Sequence, residues 1–310
     1  MNLSGVLVIN KPSGMTSHDV IQRLRQILHT RRIGHTGTLD PGASGVLLAC
    51  VGKATKVVQF LTEYDKEYEA VIKLGITTDT YDDEGEITGK KDDLKLSPDE
   101  IRKVIDSFKG KIWQIPPLHS AIKYKGRRLY QYAREKRKVE RKKREVEIRE
   151  LEVLDVNIPY VRLRITCSKG TYIRSLAFDV GQKLGCGAYL FSLRRIRVGP
   201  FKLKEALGLE KISDIEEEAK IEGVLISIEK ALAHLPSVVV KKNSAEKVRH
   251  GLPLVPSSIK SIETDFDQNQ TILIKDDLKN IIAIGKALSS TDKFLDLEYK
   301  NKLFEYIRVI

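Results

Sequence analysis

Short apolar runs alternate along the chain with amphipathic stretches, and their periods set the expected elements. Val6-Leu7-Val8-Ile9 stands unbroken between Gly5 and Asn10, which predicts a buried strand ended by the turn Lys11-Pro12-Ser13-Gly14. Val20, Ile21, Leu24, Ile27 and Leu28 then recur at helical spacing behind Ser17, the expected helix cap. Gly34 to Gly45 holds four glycines and reads as a loop before a second buried run, Val46 to Val51. Lys66 to Gly75 alternates with period two, as do Val146 to Val156 and Val161 to Cys167, so all three are expected strands. Ser97-Pro98-Asp99-Glu100 is a helix start with proline at the first helical position, and the amphipathic stretch runs to Phe108. Thr171 to Leu184 is helix-like, with Ile173, Leu176, Ala177, Val180 and Leu184 apolar.

Strands and helices mix without a regular β-α-β period, which predicts an α+β fold on a mixed, largely antiparallel sheet rather than a doubly wound one. The texture changes near Leu235-Pro236, where short β-like runs (Val238 to Val240, Thr271 to Ile274, Ile281 to Ile284, Phe304 to Ile310) are separated by Gly, Asn and Asp turns. The expected division is a larger domain of residues 1–234 and a small β domain of residues 235–310, a size that can fold alone. No apolar run approaches the ~18 residues of a membrane span, and Met1 to Asn10 lacks the layout of a secretory signal. Cys50, Cys167 and Cys186 are odd in number and widely spaced, which points to a reducing cytoplasm.

Charge changes the picture further. The 54 Lys and Arg exceed the 42 Asp and Glu, and from Lys123 to Arg149 there are 13 basic residues against four glutamates. Residues 1–60 carry seven basic side chains and only Asp19 and Asp40 as acids, with Arg31 and Arg32 just before the glycine-rich loop. Either region alone could be a solvated surface. Two in one chain favour a polyanionic partner, most simply nucleic acid held through its phosphates.

The densest chemistry is Gly34-His35-Thr36-Gly37-Thr38-Leu39-Asp40-Pro41-Gly42-Ala43-Ser44-Gly45, where glycines let the backbone approach a ligand and place Asp40 on a loop. Gly52-Lys53-Ala54 lacks the spacing and hydroxyl of a phosphate loop, and Gly42-Ala43-Ser44-Gly45 misses a nucleophile elbow by one position. His18, His29 and His35 are not spaced as metal ligands. What remains is one carboxylate among cations, a charged nucleophile or base rather than a proton donor; Asp19 is a weak second acid for any paired-carboxylate chemistry. On spacing alone, a turn in which Asp40 bonds its own backbone stays open beside that role.

Ordered motifs across about the first 200 residues narrow the choice. Asn10-Lys11-Pro12-Ser13-Gly14-Met15-Thr16-Ser17, the His35 to Gly45 loop, Lys66-Glu67-Tyr68, Pro116-Pro117-Leu118-His119-Ser120-Ala121, Ser168-Lys169-Gly170-Thr171-Tyr172-Ile173-Arg174-Ser175-Leu176 and Leu193-Arg194-Arg195 follow one another in sequence. In these the chain resembles the TruB family of tRNA pseudouridine synthases, which modify a uridine of the T-loop. The resemblance implies a pseudouridine-synthase-type catalytic domain and a PUA-like RNA-binding domain at the C-terminus. It implies that Asp40 is catalytic, that Tyr68 packs on the target base and that Arg174 pairs with Asp40. Tyr172, Lys11 and Leu193 would line the same pocket, and His35 would hold the RNA around the flipped nucleotide. The implied partner is tRNA, through its T-stem and loop, with no metal, no cofactor and no membrane. The catalytic subunits of guide-RNA particles are similar at the aspartate loop, but that class usually carries longer terminal extensions, so a stand-alone monomer without guide RNA is expected.

Overall fold

The computed structural model describes residues 3–135, 137, 139–215, 218–296 and 302–310. The N-terminal part is built on one sheet, whose main strands are β1 (Gly5–Lys11), β2 (Ser44–Val51), β3 (Lys66–Leu74), β4 (Gly110–Gln114), β5 (Arg144–Asn157), β6 (Tyr160–Cys167) and β7 (Ala188–Val198). Their spatial order is β1-β2-β7-β3-β6-β5-β4. Neighbours run antiparallel except β7 against β2, which meet in parallel only through Arg194–Ser44 and Arg195–Gly45. This is the mixed, largely antiparallel α+β arrangement that the apolar pattern predicts.

The period-two pattern of β3 decides which face is covered. Lys66, Tyr68, Ala70, Ile72 and Leu74 are buried, and the residues between them are partly exposed. Over the buried face lie the helices α2 (Pro98–Asp106) and α3 (Ile173–Lys183), which contribute Ile101, Ile105, Ile173, Leu176, Ala177 and Val180 to one core. Ser97 caps α2 reciprocally with Glu100, which satisfies backbone donors that helix ends otherwise leave free. At the β1 end of the sheet, α1 (Ser17–Ile27) buries Val20, Ile21 and Leu24 against Leu7, Ile9, Leu47, Ala49 and Val51. Each such side chain contributes about 1.5–3 kcal/mol by leaving water.

Several expected boundaries differ. The cap of α1 is Thr16, whose hydroxyl accepts from the Asp19 N–H, and not Ser17. Ser17 is buried, and its hydroxyl exchanges hydrogen bonds with the Leu39 backbone, so it is spent on the glycine-rich loop. That loop begins with a short strand, Ile33–His35, paired to β2. Lys11 ends β1 rather than opening the turn, and α3 starts at Ile173 because the Thr171 hydroxyl bonds Ser168 O. Strands β4 and β7 carry no clean alternation, and the apolar pattern does not predict them.

A second sheet follows: β8 (Ser237–Val240), β9 (Ile259–Ile262), β10 (Thr271–Lys275), β11 (Ile281–Ala287) and β12 (Phe304–Val309), in the order β9-β8-β10-β11-β12. A helix, α4 (Lys242–Arg249), packs Ala245 and Val248 into its core. Leu273, Ile281 and Ile284 of this sheet share an apolar cluster with Phe60, Leu61, Ala231 and Leu232, which joins the two parts.

Candidate active site

Lys11 is fully buried at the end of β1, and its Nζ donates to the carbonyls of Pro12, Met15 and Pro41. One ammonium thereby pins the turn after β1 to the turn after Asp40. Burial lowers its pKa to about 8, while the Asp40 charge raises it. The Gly14 N–H donates to Pro41 O at 2.9 Å and the Ser13 hydroxyl to Gly42 O at 2.9 Å, closing the same seam. Leu39, held by Ser17, is buried beside Tyr68 in the main core and anchors the loop immediately before the aspartate.

On the other side the loop enters β2 through Gly45, at φ +105°. A Cβ there would lie 2.1 Å from Arg195 O, so the close parallel approach of β2 and β7 requires glycine. Arg195 is 2% exposed; its Nε donates to Val46 O at 2.6 Å and its Nη2 to Gly37 O at 3.1 Å, which fixes both ends of the loop. The motif Leu193-Arg194-Arg195 contains this residue, but its tethering role is not legible in the sequence. A long arginine in a strand shows its partners only once the strands are placed.

Arg174, on the first turn of α3, is buried and gathers four partners. Its Nη2 donates to Asp40 Oδ1 at 3.2 Å and to His119 O at 2.8 Å, and its Nη1 to Asp82 Oδ2 at 3.0 Å and Thr80 O at 3.3 Å. Its Nε lies 3.0 Å from Asp40 Oδ2, an ion contact without hydrogen-bond alignment. Asp82 is the residue that sequence reasoning missed. It sits in the turn after a short strand (Ile76–Thr78), where Thr78, Thr80 and the Glu84 N–H all bond it. Its acid-rich surroundings, Asp79 to Glu86, give no sign that one of them turns inward.

The Asp40 side chain is 42% exposed, against 6% for Arg174 and 13% for Asp82, so the carboxylate is the solvent-accessible member of the pair and its cation is buried behind it. Loss of water around the carboxyl nevertheless pushes its pKa up, and the Asp82 charge pushes it further; Arg174 and Lys11 pull it back down. Tyr68 lies within reach of the charges of Arg195 and Asp40, its ring buried and its hydroxyl pKa raised by that burial. Tyr172 caps α3; its N–H donates to Gln114 Oε1 and its carbonyl accepts from Gln114 Nε2, and Asp40 and Arg174 both act on its ring hydroxyl. Leu193 stands opposite Ala70 in β3 and packs against the same core. Asp40, Arg174, Lys11, Tyr68 and Tyr172 are thus electrostatic neighbours. His35 stands apart on its short strand, where burial and then Arg195 lower its pKa and leave it neutral at pH 7. Among the described residues no group of three or more His, Cys, Asp or Glu is arranged to hold a metal ion, and no helix is long and apolar enough to cross a membrane.

The basic segment from Lys123 folds into a small hairpin (Lys123–Tyr124 with Arg127–Arg128) and a short helix (Leu129–Arg134), with Arg127 and Arg137 over the Tyr132 ring and Arg134 over Tyr130. Lys136 and Lys138 of this run lie outside the described residues.

Three family models match the chain in order: TruB family pseudouridylate synthase (N terminal domain) over residues 25–173, tRNA pseudouridylate synthase B C-terminal domain over 174–233, and PUA domain over 236–310. A tRNA pseudouridine synthase B of Geobacter sulfurreducens is 45% identical over 251 residues, 81% of this chain and 83% of that protein. One of Francisella philomiragia is 42% identical over 298 residues, 96% of each. Among solved structures, the crystal structure of a Cbf5-Nop10-Gar1 complex aligns with TM-score 0.78 at 31% identity, covering 98% of this chain and 84% of that one. An H/ACA RNP bound to a substrate RNA containing 2'-deoxyuridine aligns with TM-score 0.77 at 29% identity, again over 98% and 84%.

Proposed function

The chain belongs to the TruB family of tRNA pseudouridine synthases, isomerases that act on tRNA, and from that premise we propose that it converts a uridine of the T-loop to pseudouridine through Asp40. The observation that carries this is the Arg174–Asp40 pair: an exposed carboxylate aimed from behind by a buried guanidinium. The reaction breaks the bond from ribose C1' to N1, turns the uracil, joins C1' to C5, and moves the C5 proton to solvent while N1 gains one. Atoms and electrons balance within the nucleoside, so the chemistry calls for no cofactor.

A uridine inside a folded loop must first leave its stack, at a cost of a few kcal/mol. Tyr68, Tyr172 and Leu193 form the walls that receive the base, Tyr68 offsetting part of that cost by packing on the ring. Asp40 reacts as the anion. Arg174 keeps it aimed and charged, and Lys11 adds a second positive charge beneath the same loop. His35, neutral and at the loop's entrance, holds the RNA around the extruded nucleotide. The basic hairpin and helix from Lys123 take the phosphates of the T-stem and loop.

Residues 1–234 form the catalytic unit and residues 235–310 the RNA-binding one, a division supported by the separate second sheet. The protein works as a monomer in the cytoplasm. A role without guide RNA is supported by a relative named tRNA pseudouridine synthase B that matches along 96% of both chains. The test is to incubate unmodified tRNA with wild type and with Asp40→Asn, without guide RNA, and map pseudouridine. Conversion of one T-loop uridine by wild type alone is expected; a requirement for an added guide RNA, or turnover by the variant, overturns the proposal.

A further inference from the structure

Away from Asp40, an open groove of about 610 Å³ is lined by Gln22, Arg25, Gln26 and Arg31. From this groove we infer that α1 and the turn after it hold a backbone phosphate of the bound tRNA, a contact additional to those of the catalytic pocket; the inference rests on the tRNA reading above. The lining offers donors and almost no acceptors. Gln22 Oε1 accepts from Arg25 Nη1 and Gln26 Oε1 from Arg23 Nη1, each at 3.3 Å, so both amide oxygens are occupied. The Gln26 Nε2 amide and the whole Arg31 guanidinium have no partner among the described residues, and Arg25 Nε is buried without one. No Asp or Glu occurs between Val20 and Leu39. A site that shows only N–H donors and positive charge is complementary to an anion with several acceptor oxygens, which a phosphodiester supplies.

Position ties the groove to the substrate. Arg25 Nη2 donates to Ile33 O at 2.9 Å, two residues before His35 on the same strand. The Gly52 N–H donates to Arg32 O at 2.8 Å, and Arg32 Nε donates to Thr55 Oγ1 at 3.2 Å, so the chain just before His35 is braced at Arg32 as well as at Ile33. The groove therefore adjoins, through Arg25 and Ile33, the strand on which His35 is proposed to hold the RNA. Its open shape suits a continuous strand rather than an enclosed small anion.

Arg31→Gln is the informative variant, because the side chain is exposed and removing its charge breaks no contact in the free protein. Neutralising one phosphate contact should weaken tRNA binding and reduce the slope of log Kd against log salt by about 1, with the single-turnover rate at saturating tRNA unchanged. Ethylation interference should reveal a phosphate whose modification blocks binding to wild type and has no effect on the variant. Wild-type turnover of tRNA, measured alongside, tests the premise separately. If wild type turns over tRNA while both Arg31→Gln and the Arg25→Gln/Arg31→Gln double variant keep the wild-type Kd and slope, the inference fails alone. Saturable binding of inorganic phosphate that Arg31→Gln abolishes, with the tRNA slope intact, would likewise overturn it in favour of a free anion.

Discussion

Arg174 divides its guanidinium between two carboxylates, with Nε 3.0 Å from the half-exposed Asp40 and Nη1 3.0 Å from Asp82, whose side chain is 13% exposed. The geometry makes Asp82 a positioning residue: it holds the far edge of the guanidinium so that the near edge addresses Asp40. The two acids also repel each other, and the Asp82 charge raises the Asp40 pKa.

Replacing Asp82 should therefore have two effects of different kind. Asp82→Ala lets Arg174 drift, and a misplacement of about 1 Å costs about 10²-fold in kcat, with tRNA affinity unchanged. Asp82→Asn keeps an acceptor for Arg174 and retains more of the rate. In Asp82→Asn, which leaves Arg174 in place, the acid limb of the kcat profile moves to lower pH, because a charge that destabilised the Asp40 anion is gone. A fall in kcat with no displacement of the limb contradicts this account.

The wild-type profile has a definite sign. On the proposed mechanism Asp40 reacts as the anion, and its pKa in the folded protein lies above the usual 3.8. Activity is then complete above that raised value and is lost as pH falls through it, before an ordinary aspartate would protonate. Measuring single-turnover rates of pseudouridine formation from pH 4 upward checks this; an acid limb at or below the ordinary aspartate value refutes it.

Tyr68 separates packing from polarity. Its ring is buried in the core beside Leu39, and Arg195 acts on its hydroxyl. Tyr68→Phe keeps the ring and should keep most of the rate. Tyr68→Leu removes the aromatic face on which, as proposed, the extruded base packs, a loss of about 1–3 kcal/mol, visible in kcat/KM for tRNA. Equal losses in the two variants would shift the weight to the hydroxyl.

How far the chain could be read in advance follows from which signals are local. Strand β3 was legible because Tyr68, Ala70 and Ile72 alternate with Glu67, Glu69 and Val71, and α2 because Ser97 and Glu100 form a reciprocal cap within four residues. Strand β7 was hidden by register shifts between Leu190 and Ser192 and between Arg195 and Arg197, which break its alternation. Strand β4 is an edge strand with Trp113 65% exposed, so it lacks the apolar run of a buried strand. Asp40 stood out as a loop acid among glycines and cations. Asp82 and Arg195 did not, since their roles depend on partners 92 and 149 residues away in sequence.

The loop that carries Asp40 also depends on a residue with no side chain. Gly45 combines a left-handed backbone with a position where a Cβ would meet Arg195 O at 2.1 Å, against backbone rather than a yielding side chain. Gly45→Ala must push β2 from β7 or break the two-residue parallel pairing that holds them. Backbone strain of this kind costs about 1–3 kcal/mol before the steric clash is added. Because Arg195 anchors the loop through Gly37 and Val46, displacement of its strand should disturb Asp40 as well as stability. The variant should melt several degrees lower, and even where it remains folded its kcat should fall while the salt dependence of tRNA binding stays as in wild type. Gly14→Ala provides the comparison: that residue also has a positive φ, +86°, but a methyl added there would meet no atom within 4 Å, so only the backbone strain should be felt. Equal effects of the two substitutions would show that the β2–β7 contact is not what fixes the Asp40 loop.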